Sequence, residues 1–195
     1  MSLRDELLQE RLASYARLRG GYPIPLAGTV YWPVLGYLGT QLSPGRWTFW
    51  AFLLTGAIFP LALLFAKIFR NKFLSDRTAV SDLLFPAFIS MLLFWPMAIA
   101  AWKANVQLVP LILAIGMSLH WPVIGWAYGR TGLYSAHSIV RAALCFLIWT
   151  YLPEARFTWL PASVGLVYLV TVIAIYVDSG RVARSARLNA AAASS

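Results

Sequence analysis

Three side chains with chemical potential, His137, Arg141 and Cys145, follow one another at intervals of four residues. Residues four apart share one face of an α-helix, so this row points in a single direction. With His120 from the preceding apolar segment, it predicts a cationic pocket that attracts an anionic solute or a lipid head group. The alternative is structural, because Arg141, about 10 Å from the predicted inner end, could extend to the membrane interface.

A repeated phrase is the second signal: Trp32–Tyr37 is WPVLGY, and Trp121–Trp126 is WPVIGW. The two copies lie in the first and fourth apolar segments, which would cross the membrane in opposite directions. That relation predicts a 3+3 inverted repeat, with proline-broken helices beside a substrate site. The alternative is that prolines and glycines, common in membrane helices, only bend them and permit close packing. Pro33, Pro96 and Pro122 predict bends or broken backbone hydrogen bonds.

These signals define a predicted substrate-binding pocket without a catalytic or metal site. Its candidate residues are His120, His137, Arg141, Trp32, Trp121 and Tyr31. Tyr31 is included because its hydroxyl could accept a hydrogen bond from Arg141. The chain has neither an H-E-x-x-H nor a G-x-S-x-G motif, and its one cysteine cannot form a metal cluster. The sequence predicts no cofactor, and it weighs against an enzyme without deciding the matter.

The elements that must position these residues are membrane helices. Hydrophobic residues make up 60% of the 195, charged residues only 12%, and the mean hydropathy is +0.69. A membrane span needs about 20 mostly apolar residues. The sequence has six such segments, Tyr22–Leu42, Trp47–Ala66, Leu83–Trp102, Val106–Tyr128, Thr131–Pro153 and Phe157–Val177. We therefore predict an all-α integral membrane bundle of about six transmembrane helices.

The remaining residues divide the chain into three regions. Residues 1–21 predict an amphipathic helix, with a capping box between Ser2 and Asp5 and an end at Gly20 and Gly21. A helix on the membrane surface is favoured there over a solvated one. Residues 22–178 form the predicted transmembrane domain. Residues 179–195 predict a basic, disordered tail in the cytoplasm.

Positive charge near the segment ends predicts the orientation. With the N-terminus inside, thirteen Lys and Arg residues face the cytoplasm, against Arg46, Lys103 and Arg156 outside. This bias places both termini in the cytoplasm, in a protein that crosses a bacterial inner membrane several times. The net charge of +9 therefore reports membrane orientation, and no nucleic-acid partner is expected.

Four phrases carry a family resemblance: RGGYPIPLAG, LLTGAIFPLALLFAKIF, LLFWPMAIA and SLHWPVIGWAYGRTGLYSAHSIVRAAL. Across Arg19–Val177 the chain resembles a bacterial family of small, functionally uncharacterised polytopic membrane proteins, a domain of unknown function. The resemblance implies a membrane protein in which the stretch from His120 to Arg141 matters. It implies no activity, substrate or cofactor.

Three functions remain open at this point. The first is binding or translocation of a small solute, with an anion favoured, through a pocket lined by the first, fourth and fifth segments. The second is a non-catalytic membrane subunit that binds lipid or another protein, and the third is an intramembrane enzyme that uses histidines. The predicted partners are the lipid bilayer and a small anionic solute or lipid head group, and a homodimer is compatible with the sequence.

Overall fold

The computed structural model describes residues 2–72, 78 and 81–193, and most of these residues are helical. We number nine α-helical segments within them. They are Leu3–Arg17 (α1), Pro23–Gln41 (α2), Pro44–Ile68 (α3), Leu84–Leu92 (α4), Trp95–Ala104 (α5), Val109–Gly116 (α6), Trp121–Ala127 (α7), Thr131–Tyr151 (α8) and Trp159–Ala193 (α9). Arg77, one of the thirteen positive residues that the charge bias assigns to the cytoplasmic side, lies outside the described residues.

The described helices confirm a helical membrane bundle. Five stretches are long and apolar enough to cross a bilayer: Pro44–Ile68, Leu84–Ala104, Val106–Ala127, Thr131–Tyr151 and Trp159–Leu188. The first predicted span corresponds to α2, which is not among these five stretches. Its 19 residues include three prolines, three glycines and Gln41, which make it less apolar than the five. This helix packs between α3 and α9 and makes the largest helix contacts of the bundle with them.

Two of the predicted spans are broken near a proline, as expected. A turn at Leu93–Phe94 separates α4 from α5, and Pro96 occupies the first turn of α5. Residues 117–120 separate α6 from α7, and Pro122 occupies the first turn of α7. Proline is tolerated there because the first N–H groups of a helix have no intrahelical partner.

The third proline behaves differently. Pro33 lies inside α2, which continues through it as one helix from Pro23 to Gln41. Its ring faces α9 at Gly165, where an added Cβ would come within 2.7 Å of the proline. The repeated phrase therefore starts a helix at Trp121 but lies in the middle of one at Trp32.

The N-terminal helix forms with the predicted cap and then packs on the bundle. Asp5 N–H donates to the Ser2 hydroxyl at 3.3 Å. The Ser2 hydroxyl and the Ser2 N–H donate to the Asp5 carboxylate at 2.7 and 3.1 Å, and these two bonds lower the pKa of Asp5. The helix ends before Gly20 and Gly21, whose φ angles of +65° and +62° suit glycine. Tyr15 is fully buried, and burial raises the pKa of its hydroxyl.

The basic C-terminal segment differs from the sequence prediction. It was expected to be disordered, but α9 continues as a helix from Trp159 to Ala193. Ala, Arg and Leu, which favour helix, dominate this segment, and no proline interrupts it. The buried Ser179, 1% exposed, shows that the extension begins against other parts of the protein.

Glycines set the spacing between α2 and α9. A Cβ at Gly36 would lie 3.0 Å from the Thr158 carbonyl oxygen, and one at Gly39 would lie only 1.9 Å from the Phe157 carbonyl oxygen. A backbone carbonyl cannot turn aside as a side chain can. The two chains therefore approach this closely only because these positions lack side chains.

We expect Gly39→Ala to force α2 away from the start of α9 and to lower stability by about 1–3 kcal/mol, the usual cost of overpacking. Thermal unfolding in detergent would measure the loss. Gly45→Ala in α3 is the matched control, because an added Cβ meets nothing within 4 Å there. Equal melting temperatures for the two variants would contradict the packing of α2 on α9.

Candidate functional site

The row of residues on α8 faces the interior of the bundle. His137 is 4% exposed, and Arg141 and Cys145 are both fully buried. The structure thus confirms that the three share one face. Arg141 does not extend to the surface, so the anchoring alternative does not fit the structure. Because Arg141 is buried, it no longer counts among the thirteen positive residues assigned to the cytoplasmic side. The other twelve still favour the predicted orientation.

Arg141 has partners from three other positions. Its Nη1 donates to the Tyr168 hydroxyl at 2.8 Å, and its Nη2 donates to the Ala114 carbonyl oxygen. Nη1 also lies 3.5 Å from His137 Nε2. The guanidinium carbon lies over the rings of Trp32 and Tyr168, at 5.2 and 5.1 Å from their centres, which is within cation–π range.

The bond to Ala114 explains how the break in the fourth span is stabilised. Ser118 N–H donates to Ile115 oxygen at 2.9 Å, three residues back, so the tightened turn leaves the Ala114 carbonyl without its usual helical partner. Arg141 supplies the missing donor and places a positive charge at the carboxyl end of α6, where the helix dipole favours it. Ser138 of α8 likewise donates to the Ser118 carbonyl, at 3.0 Å.

His137 has a fixed orientation and tautomer. Its Nδ1 lies 2.8 Å from Thr171 Oγ1, and the Thr171 hydroxyl donates its one hydrogen to the Val167 carbonyl at 2.7 Å. Thr171 must therefore accept from His137, which assigns the proton to Nδ1. Nε2 is then the acceptor that faces Arg141. Trp121 stacks on the imidazole with ring centres 4.1 Å apart, and Tyr168 makes an edge contact with it at 4.8 Å.

A cavity of about 370 Å³ adjoins this network. Most of its lining is apolar, from α2, α3, the α4–α5 span, α7 and α9. Polar atoms of three lining residues are buried and have no hydrogen-bond partner: Trp32 Nε1, Trp121 Nε1 and His120 Nδ1. These residues are only 0%, 1% and 6% exposed. Buried polar groups are normally paired, so this set makes the cavity a candidate binding site.

The structure separates the predicted site residues into two layers. Trp32, Trp121 and His120 line the cavity, whereas His137 and Arg141 lie behind it. Tyr31 packs on Trp32, but its hydroxyl donates to the Ala51 carbonyl of α3 at 3.0 Å and not to the site.

Sequence reasoning missed Tyr168 and Thr171, which connect α9 to Arg141 and His137. A signal for both was present. They are polar groups three residues apart in an apolar segment, and this spacing places them on one helix face. Gly28 of α2 makes room for the Tyr168 ring, which an added Cβ there would approach within 2.8 Å.

Fold and cavity define the class of the protein, a multi-pass α-helical membrane protein with a ligand-sized cavity among its helices. The chain belongs to a family of unknown function, DUF7010, whose model matches residues 7–178. This range includes every residue of the cavity and of the Arg141 network. No curated protein and no solved structure matches the chain.

We expect Thr171→Val to leave the buried His137 N–H without an acceptor and to cost about 1–3 kcal/mol of stability, seen as a lower melting temperature in detergent. Thr171→Ser should restore it. Thr55→Val is the matched control, since the Thr55 hydroxyl donates only to the Phe52 carbonyl of its own helix at 2.6 Å. A Thr171→Val protein as stable as Thr55→Val would contradict the assigned hydrogen bond.

Proposed function

We propose that this protein binds, within the bilayer, an amphiphile with an anionic, oxygen-rich head group and an apolar body. The observation that carries the proposal is the combination of three unpartnered polar atoms, on Trp32, Trp121 and His120, with an otherwise apolar cavity. The proposal concerns binding. Translocation of the same molecule is the additional function that the sequence suggests.

The donors determine the chemistry of the head group. An indole N–H can only donate, so Trp32 and Trp121 require a ligand with acceptor oxygens. An unsatisfied buried donor costs about 1–3 kcal/mol, and a ligand that pairs both removes this cost. Arg141 lies behind Trp32, and no carboxylate among the described residues forms an ion pair with it. Its positive charge therefore favours an anionic oxygen in the cavity.

The walls of the cavity support an apolar body that enters from the side. Among the described residues, helices α3 and α4 pack mainly on other elements, and both line the cavity. Phe59 of α3 and Leu92 of α4 line it while remaining 54% and 50% exposed. The surrounding medium at this depth is lipid, so a molecule that enters here is one that the bilayer dissolves.

The space also continues toward one end of the bundle. A second cavity of about 170 Å³ shares His120, Trp121 and Phe88 with the first and extends to Gly20 and Gly21. An elongated molecule fits this shape better than a compact ion. Of the open alternatives, a lipid-binding subunit shares this chemistry, whereas an enzyme would need an acid and a base that converge on the ligand.

Removal of the two indole donors tests the proposal. We expect Trp32→Phe and Trp121→Phe each to weaken binding of a radiolabelled long-chain fatty acid about tenfold, because each loses one hydrogen bond to a charged oxygen. An alkyltrimethylammonium of equal chain length should not compete. Binding would be measured on the purified, detergent-solubilised protein.

Trp47→Phe is the control for this experiment. The indole of Trp47 is buried but already donates to the Leu35 carbonyl at 2.8 Å. Its replacement should lower stability and leave the affinity unchanged, the reverse of the pattern for Trp32 and Trp121. Unchanged affinity in both cavity variants, or equal binding of the cationic amphiphile, would refute the proposed head-group chemistry.

Two glycines of α3 test the side entrance. Gly56 lines the cavity and Gly45 does not, and an added Cβ meets nothing within 4 Å at either position. Gly56→Leu should therefore fill the mouth of the cavity and reduce fatty-acid binding without unfolding the helix. Gly45→Leu should bind like the unaltered protein. Full binding by Gly56→Leu would mean that the ligand does not use this opening.

We also propose that both termini lie in the cytoplasm of a bacterial inner membrane, which the positive-charge bias supports. Reporter fusions after Leu42 and after Lys103 should then be external. Fusions after Arg77 and at the C-terminus should be cytoplasmic. An external C-terminus would contradict this orientation.

A further inference from the structure

A further cavity, with polar lining and no lining residue in common with the central one, lies at the end of the bundle where α1 ends and α9 extends. It has a volume of about 540 Å³ and lies between the end of α1 and the extension of α9. Four arginines line it, namely Arg17, Arg19, Arg184 and Arg187, together with Tyr176, Ser179 and three small residues. We call it the arginine groove.

The fold builds this groove from two distant parts of the chain. The helical extension of α9 carries Arg184 and Arg187 past the last apolar turns and places them beside the turn after α1. Arg19 in that turn has a φ of +48°, an uncommon conformation for a residue with a side chain, so its placement is imposed by its surroundings. Its guanidinium lies over the ring of Tyr176, 5.7 Å from the centre.

The described lining of the groove contains arginines but no Asp or Glu. Arg17 has an interaction of its own, so the relevant charge is that of Arg19, Arg184 and Arg187. Asp178, the acid nearest to the groove along α9, is engaged elsewhere and accepts from Arg130 Nε at 2.6 Å. Three guanidinium groups around an open space attract an anion, and they match the oxygens of phosphate in particular.

The position of the groove identifies the source of the anion. It begins at Tyr176, at the end of the predicted sixth span, and aromatic residues of this kind occupy the membrane interface. Basic residues directly beyond a span meet the phosphate layer of the bilayer. We infer that the arginine groove binds the phosphate of an anionic phospholipid, as a site separate from the central cavity.

Gly180 offers a direct test. It lines the groove, it is exposed, and an added Cβ meets nothing within 4 Å. Gly180→Glu would place a carboxylate among the arginines, where it competes with the phosphate. Gly180→Gln has the same shape without the charge. Both changes should be compatible with folding, because they remove a helix-disfavouring glycine from an open position.

The measurement is the shift in melting temperature of the purified full-length protein when lipid is added in detergent. Phosphatidylglycerol should raise it, and phosphatidylcholine and inorganic phosphate at equal concentration should not. Gly180→Glu and the double variant Arg184→Gln/Arg187→Gln should lose most of the shift, while Gly180→Gln and Arg184→Lys/Arg187→Lys keep it.

Other results would overturn the inference. An undiminished shift in Gly180→Glu and in the double glutamine variant would show that phosphatidylglycerol acts elsewhere. A full shift with inorganic phosphate alone would exclude the lipid as the specific ligand. Neither result bears on fatty-acid binding at Trp32 and Trp121, so the central cavity is tested separately.

Discussion

The rest of the structure depends on one pairing, between the guanidinium of Arg141 and the carbonyl of Ala114. A charged side chain at membrane depth costs about 2.5–3.5 kcal/mol or more unless it finds polar partners. A broken helix at the same depth leaves carbonyls that water cannot reach. The hydrogen bond between the guanidinium and the free carbonyl removes both costs. It requires α8 to lie beside the end of α6.

This pairing orders the elements around it. Tyr168 accepts from Arg141 and thereby ties α9 to the break, while His137 bridges from Arg141 to Thr171 of the same helix. The result is a hydrogen-bonded polar layer, in which the buried Nε of Arg141 still lacks a partner. Trp32 and Trp121 line the cavity, and no described group accepts from their indole N–H groups. The bonded groups hold the helices together, whereas the unpaired indoles are the groups that the proposed ligand would satisfy.

Much of the fold could be predicted because bilayer physics leaves few choices. Apolar length identified the spans, prolines located the breaks at Pro96 and Pro122, and spacing by four predicted the buried face of α8. The helical state of the C-terminal segment was missed, since its small and basic residues suit both a helix and a disordered tail. The continuation of α2 through Pro33 was not predicted, and the contact of this proline with Gly165 of α9 is one that local sequence does not encode.

The candidate site was predictable in membership but not in arrangement. Residue types marked His120, Trp32 and Trp121, yet which of them face a cavity depends on packing between helices distant in sequence. Arg141 was expected to pair with a span-end carbonyl, a hydroxyl such as that of Tyr31, or an anion. A carbonyl and a hydroxyl do accept from it, but they belong to Ala114 and Tyr168, because the break in the fourth span and the packing of α9 decide which acceptors are in reach.

The most direct test of this account is an experimental structure of the protein in a lipid nanodisc. We expect elongated density in the cavity between α3 and α4, with its polar end within hydrogen-bonding distance of the indole nitrogens of Trp32 and Trp121. Arg141 should remain bound to the Ala114 carbonyl behind them. A collapsed cavity with the two indoles paired to protein groups, or Arg141 turned outward to the membrane surface, would contradict it.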